Sequence, residues 1–317
     1  MPPGKTASLR PSIIIPARDE EANIARTIRT VRNASGEREA EIIVVDDGSA
    51  DGTGLAAKEA GARVLRLEGS GNPGRARNAG AAGAIGDPLI FLDADCRPEP
   101  GWLDALMAEH DAGRTIAGGS LDLPPGLPFW ARCDYYATSY HFHSHRAPGV
   151  VANHTPANLS VRREVFTAAG GFTETFPVAD GHEELAWQHA AASAGHSIHF
   201  IPKARALHEN RPGFGNLLRR GYRWGYSAVE SKAAAPAVRA AWMYRHPGLL
   251  MVTAIPAAFA HTGWISLEWL RSGTLQPLWL WPGILLSRLA YATGMIASGA
   301  RRLRRDRGSS SPALRWR

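Results

Sequence analysis

Short apolar runs alternate with amphipathic stretches over the first hundred residues. Ser12-Ile13-Ile14-Ile15-Pro16, Glu41-Ile42-Ile43-Val44-Val45, Arg63 to Leu67 and Pro88-Leu89-Ile90-Phe91-Leu92 are each five residues long and rich in branched side chains. Runs of that length and composition read as strands, most of them buried on both faces. Between them, Asp19 to Val31 repeats Ile24, Ile28 and Val31 at helical spacing, with acids crowding its first turn. Leu55 to Ala60 and an Ala-rich stretch over 75–85 complete the alternation. The pattern predicts an α/β fold built on a Rossmann-like, doubly wound and mostly parallel sheet. Such sheets bind ligands at the carboxyl ends of their strands. Two of those ends carry acids here, in Asp46-Asp47-Gly48-Ser49 and Asp93-Ala94-Asp95.

Beyond residue 96 the pattern loosens. Aromatics and histidines gather at 129–145, Ala157 to Phe172 reads as a strand and helix, Glu183 to Ala194 as a helix, and Ile198 to Ile201 as a strand. Near residue 245 the composition shifts. His246 to Leu267 has no Lys, Arg, Asp or Glu in 22 positions, and Leu275 to Ala300 is interrupted only by Arg288. Each stretch is long enough to cross a bilayer. Trp264, Trp269, Trp279 and Trp281 surround the link between them, where a hairpin meets the far interface. The expected organisation is an α/β domain over 1–235, a membrane-associated pair of transmembrane helices over 236–300, and an Arg-rich tail over 301–317. Interfacial helices lying on the membrane are the rival reading of 236–300.

Charge sharpens this. The chain has 36 Lys and Arg against 29 Asp and Glu, a formal charge of +7, and six of those charges belong to residues 301–317. The remaining 300 residues are near neutral, so no basic face for nucleic acid is expected. The tail suits anionic lipid headgroups, and positive flanks on both sides of the hairpin place the α/β domain on the cytoplasmic side of the cell membrane. Two cysteines, Cys96 and Cys133, exclude a disulfide framework and a four-cysteine zinc site. The polar segment Met1 to Arg10 does not read as a secretory leader.

The acids suggest chemistry. Two carboxylates at i and i+2 on a strand end are hard oxygen ligands suited to Mg²⁺ or Mn²⁺. With Ile14-Ile15-Pro16-Ala17-Arg18-Asp19-Glu20-Glu21, the Asp46-Asp47-Gly48-Ser49 turn and Gly74-Arg75-Ala76-Arg77-Asn78-Ala79-Gly80, they occur in an order and spacing that closely resemble the family 2 glycosyltransferases of GT-A fold. The opening turn departs from the family in having Arg18-Asp19 where an aromatic and Asn are usual. The resemblance implies that Pro16, Ala17 and Glu20 line a nucleotide pocket, that Asp46 or Asp47 hydrogen-bonds the base, and that Arg77 sits near the nucleotide. It places Asp93 on ribose or metal, next to Ala94, and Asp95 on the metal.

It continues downstream. Asn158 to Phe172 resembles the segment before the catalytic acid, and Gly181-His182-Glu183-Glu184 stands where the family carries Glu-Asp at a helix start. An inverting transferase needs one base there to take the acceptor's hydroxyl proton. Glu184 holds that position with a side chain one methylene longer than Asp, and Glu183 competes for the role. His208 matches a position for a further metal or diphosphate contact. Arg220-Gly221-Tyr222-Arg223-Trp224 resembles the Gln-x-x-Arg-Trp motif of membrane-bound members, with Arg223 for diphosphate and Trp224 for the acceptor path. The implied function is metal-assisted, inverting transfer of a sugar from a nucleotide-sugar donor to a lipid-linked or cell-envelope glycan acceptor. Two alternatives stay open: an inactive scaffold of the same fold at the membrane, and a nucleotidyltransferase, although Ala17-Arg18-Asp19-Glu20 lacks the Gly-rich loop the latter uses. His141, His143 and His145 alternate, which on a strand would put three imidazoles on one face.

Overall fold

Ile13, Ile14 and Ile15 are completely buried in β1 (Ser12–Ala17). Side chains alternate across a strand, so Ile13 and Ile15 enter one core layer while Ile14 enters the other. Each such side chain contributes about 1.5–3 kcal/mol on burial. The first layer is closed by α1 (Glu21–Ala34) through Ile24, Ile28 and Val31, the residues whose spacing announced the helix. β2 (Glu41–Asp46), α2 (Thr53–Glu59), β3 (Arg63–Arg66), α3 (Pro73–Gly83) and β4 (Leu89–Leu92) follow as the alternation predicts. The computed structural model describes residues 10–69, 72–174, 182–234 and 241–308.

The chain then continues through β5 (Cys96–Pro98), α4 (Trp102–Asp111), β6 (Ile116–Asp122), α5 (Phe129–Thr138), β7 (Gly149–Val151), β8 (Asn158–Val161), α6 (Arg163–Ala168), α7 (Glu184–Ser193) and β9 (Ile198–His208). Strand order is β3-β2-β1-β4-β8-β6-β9-β5, with β7 on β9. The four strands β3, β2, β1 and β4 are parallel, as expected. Beyond β4 the expectation of a mostly parallel sheet is corrected. β8 runs antiparallel to both β4 and β6, and β5 and β7 run antiparallel to β9, leaving β6–β9 as the only parallel pairing in that half among the described residues. The sheet is therefore mixed. The reason is that β8 inserts antiparallel between β4 and β6, which run in the same direction, so the parallel repeat is interrupted there.

One geometric result matters for function. The carboxyl ends of β1, β2, β4, β6 and β9 and the amino end of β8 reach the same edge of the sheet.

At the C-terminal end, α8 (Phe214–Ala234) and α9 (Ala241–Arg245) lead into α10 (Pro247–Arg271) and α11 (Gln276–Gly308). The last two pack antiparallel. Ala254 and Ala258 meet Ala292 near the open end, and Ile265 and Trp269 meet Leu280 and Ile284 near the turn. α11 lies against α8 and α5 on its other side. A Cβ at Gly225 would overlap the Tyr291 carbonyl, and one at Gly294 the Tyr222 carbonyl, so glycines allow the backbones of α8 and α11 to touch. Among the described residues, α10 is the only helix long and apolar enough to cross a membrane. Trp269, expected at a lipid interface, is instead core: it is 2% exposed and its indole N–H donates to the Tyr136 carbonyl at 2.9 Å. Arg301, Arg302, Arg304, Arg305 and Arg307 extend α11, and the tail beyond residue 308 lies outside the described residues.

Candidate active site

The strand ends open into a cleft of about 1530 Å³. The turn after β1 gives it Pro16, Ala17 and Glu20. Asp19 in that turn has a left-handed backbone, φ 55°, and accepts a hydrogen bond from the Ala50 amide at 2.8 Å. Asn and Asp are the side chains that best tolerate this conformation, which accounts for Asp19 standing where Asn is usual. Glu20 is held by Asn23 Nδ2 at 2.8 Å and Arg211 Nη2 at 2.9 Å.

At the end of β2 the two adjacent aspartates have different fates. Asp46 is completely buried, accepts from the Ser49 amide at 2.8 Å and from Arg66 at 2.7 Å, and does not line the cleft. Asp47 does line it.

Arg77 on α3 is buried at the floor. Its guanidinium bonds Asp93 at 2.6 Å and also Glu183, tying the end of β4 to the start of α7. These two partners hold the guanidinium charged despite burial. Glu183 is thereby committed to an ion pair. Its neighbour Glu184 opens the first turn of α7, following His182, which has a left-handed φ of 72°. Burial pushes the Glu184 carboxyl up to about 8, and the Glu183 charge adds to the effect.

Asp95 completes the floor beside Ala94. His208, at the end of β9, brings Nε2 to 3.4 Å from Asp95 Oδ1, and that oxygen is buried without a hydrogen bond. Burial raises the Asp95 carboxyl. The other side of the imidazole explains the arrangement. Asn210 donates Nδ2 to Asp134 at 2.7 Å, so its Oδ1, 3.2 Å away, faces His208 Nδ1. A neutral imidazole then carries its proton on Nδ1 and turns the Nε2 lone pair toward Asp95. Two lone-pair atoms facing each other, one of them orphaned, fit a divalent cation. The Cys96 sulfur lies within the same 4.8 Å cluster, and burial pushes its thiol well up.

The network runs on to α8. Asp134 also accepts from Arg220 at 2.5 Å, and Arg220 stacks on the Trp224 ring at 4.4 Å. Arg223 and Trp224 line the cleft opposite the strand ends. Sequence reasoning missed Asn210 and Asp134, which act through partners more than seventy positions apart along the chain. His141, His143 and His145 are not on a strand. His143 stacks on Trp269 at 4.2 Å, and Arg146 hydrogen-bonds His141 at 3.0 Å.

Residues 12–168, which supply β1 to β8 and the acids at their ends, match the family described as Glycosyl transferase family 2. The chain is a glycosyltransferase. It is 29% identical to the glycosyltransferase AglE of Haloferax volcanii over 228 residues, covering 69% of this chain and 73% of that protein. It is 27% identical to the pre-mycofactocin glycosyltransferase of Mycobacterium tuberculosis over 238 residues, which are 72% of this glycosyltransferase and 48% of the relative. The fold is similar to that of a mannosyltransferase from Pyrobaculum calidifontis solved with GDP-Man and Mn²⁺, with a TM-score of 0.61 at 18% identity over 92% of this chain and 88% of that one.

Proposed function

We propose that this glycosyltransferase inverts the anomeric carbon of a nucleotide-sugar donor and passes the sugar to a lipid-linked or cell-envelope glycan acceptor. The observation that carries the proposal is the pairing of an orphaned Asp95 oxygen with the His208 lone pair on the floor of a cleft whose wall presents Glu184. Asp95, Asp93 and His208 would hold Mg²⁺ or Mn²⁺. When bound, the cation neutralises the diphosphate that leaves with the nucleotide.

The chain's own residues divide the remaining work. Asp47 accepts from the base, and Pro16, Ala17 and Glu20 form the walls around the nucleoside. Arg77 is an internal brace rather than a donor contact, since both ends of its guanidinium are taken by Asp93 and Glu183. That leaves Glu184 as the base: it takes the proton of the acceptor hydroxyl while the oxygen attacks, and Glu183 stays ion-paired. Arg223 faces the diphosphate and Trp224 the acceptor.

The proposal extends to the membrane. α11 is packed along α5 and α8, whereas α10 turns Leu249, Val252, Phe259 and Leu267 outward at helical spacing. That one-sided apolar stripe favours a hairpin lying on the lipid surface over a spanning pair. The arginines at the end of α11 meet anionic headgroups of the cytoplasmic leaflet.

Thermal shift against UDP-, GDP- and TDP-sugars with Mn²⁺ tests the donor site. At least one donor is expected to stabilise the wild type and to lose that effect in Asp95→Ala. Absence of any shift, together with no donor turnover, favours the inactive scaffold.

A further inference from the structure

A second cavity of about 300 Å³ lies between α8, α10 and α11, and five of its lining residues, Thr138, Tyr140, His182, Trp224 and Lys232, also line the main cleft. The two spaces are therefore neighbours across the Trp224 wall. Much of the lining of the smaller one is apolar and small, with Ala254, Ala258 and Ala292 from the hairpin. Its polar content is unbalanced. Lys232 and Arg288 both line it, and among the described residues neither forms an ion pair with a carboxylate.

Arg288 is 7% exposed, and its Nε is buried without a hydrogen-bond partner. Its guanidinium stacks on the Tyr291 ring at 5.2 Å. Lys232 Nζ donates to the Tyr291 hydroxyl at 3.1 Å, so one tyrosine holds both cations. Two like charges in one small, largely buried cavity are costly unless an anion joins them. Lys232 also lies over the Tyr244 ring at 5.3 Å, so tyrosines rather than carboxylates surround the two cations where they line the cavity. Ala257, which also lines the cavity, is exposed on the outer surface of the hairpin.

We propose that this cavity is the acceptor's anion subsite: Arg288 and Lys232 take one phosphate or carboxylate carried on an apolar body. The assignment of that anion to an acceptor rests on reading the adjoining cleft as the transfer site. Selectivity follows from the chemistry. A neutral alcohol of the same chain length leaves both cations unpaired, and a free inorganic anion leaves the alanine-lined walls unfilled.

Calorimetric titration of the full-length protein with decyl phosphate, decanoate, decanol and inorganic phosphate, below micellar concentrations, tests this. Decyl phosphate or decanoate is expected to bind at least tenfold more tightly than decanol and than inorganic phosphate, and the stronger of the two identifies the headgroup. Arg288→Gln and Lys232→Met are each expected to reduce that preference at least fivefold, with Arg288→Lys retaining most of it. Nucleotide affinity within twofold of wild type reports an intact fold in each variant. Equal binding of decanol and the two anions by the wild type overturns the proposal, as does a preference that survives Arg288→Gln in a folded protein. Inorganic phosphate binding as tightly as decyl phosphate overturns the apolar half of it. An anion preference in a protein that binds no nucleotide sugar would instead refute the donor reading and leave the subsite standing.

Discussion

Arg77 is the residue on which the floor of the cleft depends. Removing it leaves Asp93 and Glu183 without their shared cation in a largely buried place. Arg77→Met is expected to lower the unfolding free energy by about 3–5 kcal/mol, measured by denaturant melts, because uncompensated buried charge costs more than the lost packing. Glu184 carries the opposite kind of prediction, a large kinetic effect with little structural one. Glu184→Gln should cut kcat about 10²–10⁴-fold with the melting temperature nearly unchanged. The pH profile has a definite sign. A base whose carboxyl lies up near 8 is protonated below that pH, so kcat/KM of wild type should climb as pH rises toward about 8. A profile already flat from pH 5 upward would contradict that role. The acids themselves were legible in the sequence, since strand ends and carboxylates can be read directly. Asp46 and Asp47 were not separable, because adjacent residues share every sequence signal and only the Arg66 and Ser49 contacts distinguish them. Asn210, Asp134, Lys232 and Arg288 were illegible as site residues for a related reason: their roles come from partners brought together by folding.

Among the elements, the four parallel strands and their helices were readable because β-branched runs and a 3.6-residue repeat do not depend on distant contacts. β6 was not. Its sequence Ile116 to Asp122 contains Gly118 and Gly119, which lower strand propensity, yet the ring of His154 and the side chain of Asn158 occupy the space a Cβ would need. The same close approach governs the junction of α8 with α11. Gly225→Ala would drive a methyl into the Tyr291 carbonyl and separate the helix carrying Arg223 and Trp224 from the hairpin. A loss of about 1–3 kcal/mol is expected. It should be accompanied by a rise in acceptor KM, seen by steady-state kinetics, that exceeds any change in donor KM.

For the whole molecule, charge and apolar surface are segregated. The α/β body is near neutral, while the α10 stripe and the arginines at the end of α11 supply a surface of different character. Sedimentation with anionic vesicles should fall strongly in the pair Val252→Glu and Phe259→Glu. Replacing Arg301, Arg302, Arg304 and Arg305 by Gln should weaken binding to anionic vesicles by about 1 kcal/mol per charge, without the same loss on neutral ones. The two apolar stretches were visible in sequence, but their packing was not. Length and hydropathy cannot reveal that α11 spends one face on α5 and α8. The central claim is that one base, Glu184, works across the cleft from the Asp95–His208 pair. Following turnover of a stabilising nucleotide sugar by proton NMR tests it most directly, through the configuration of the first product anomer. Inversion that disappears in Glu184→Gln is the predicted result, and retention of configuration, or inversion undiminished in Glu184→Gln, would contradict it.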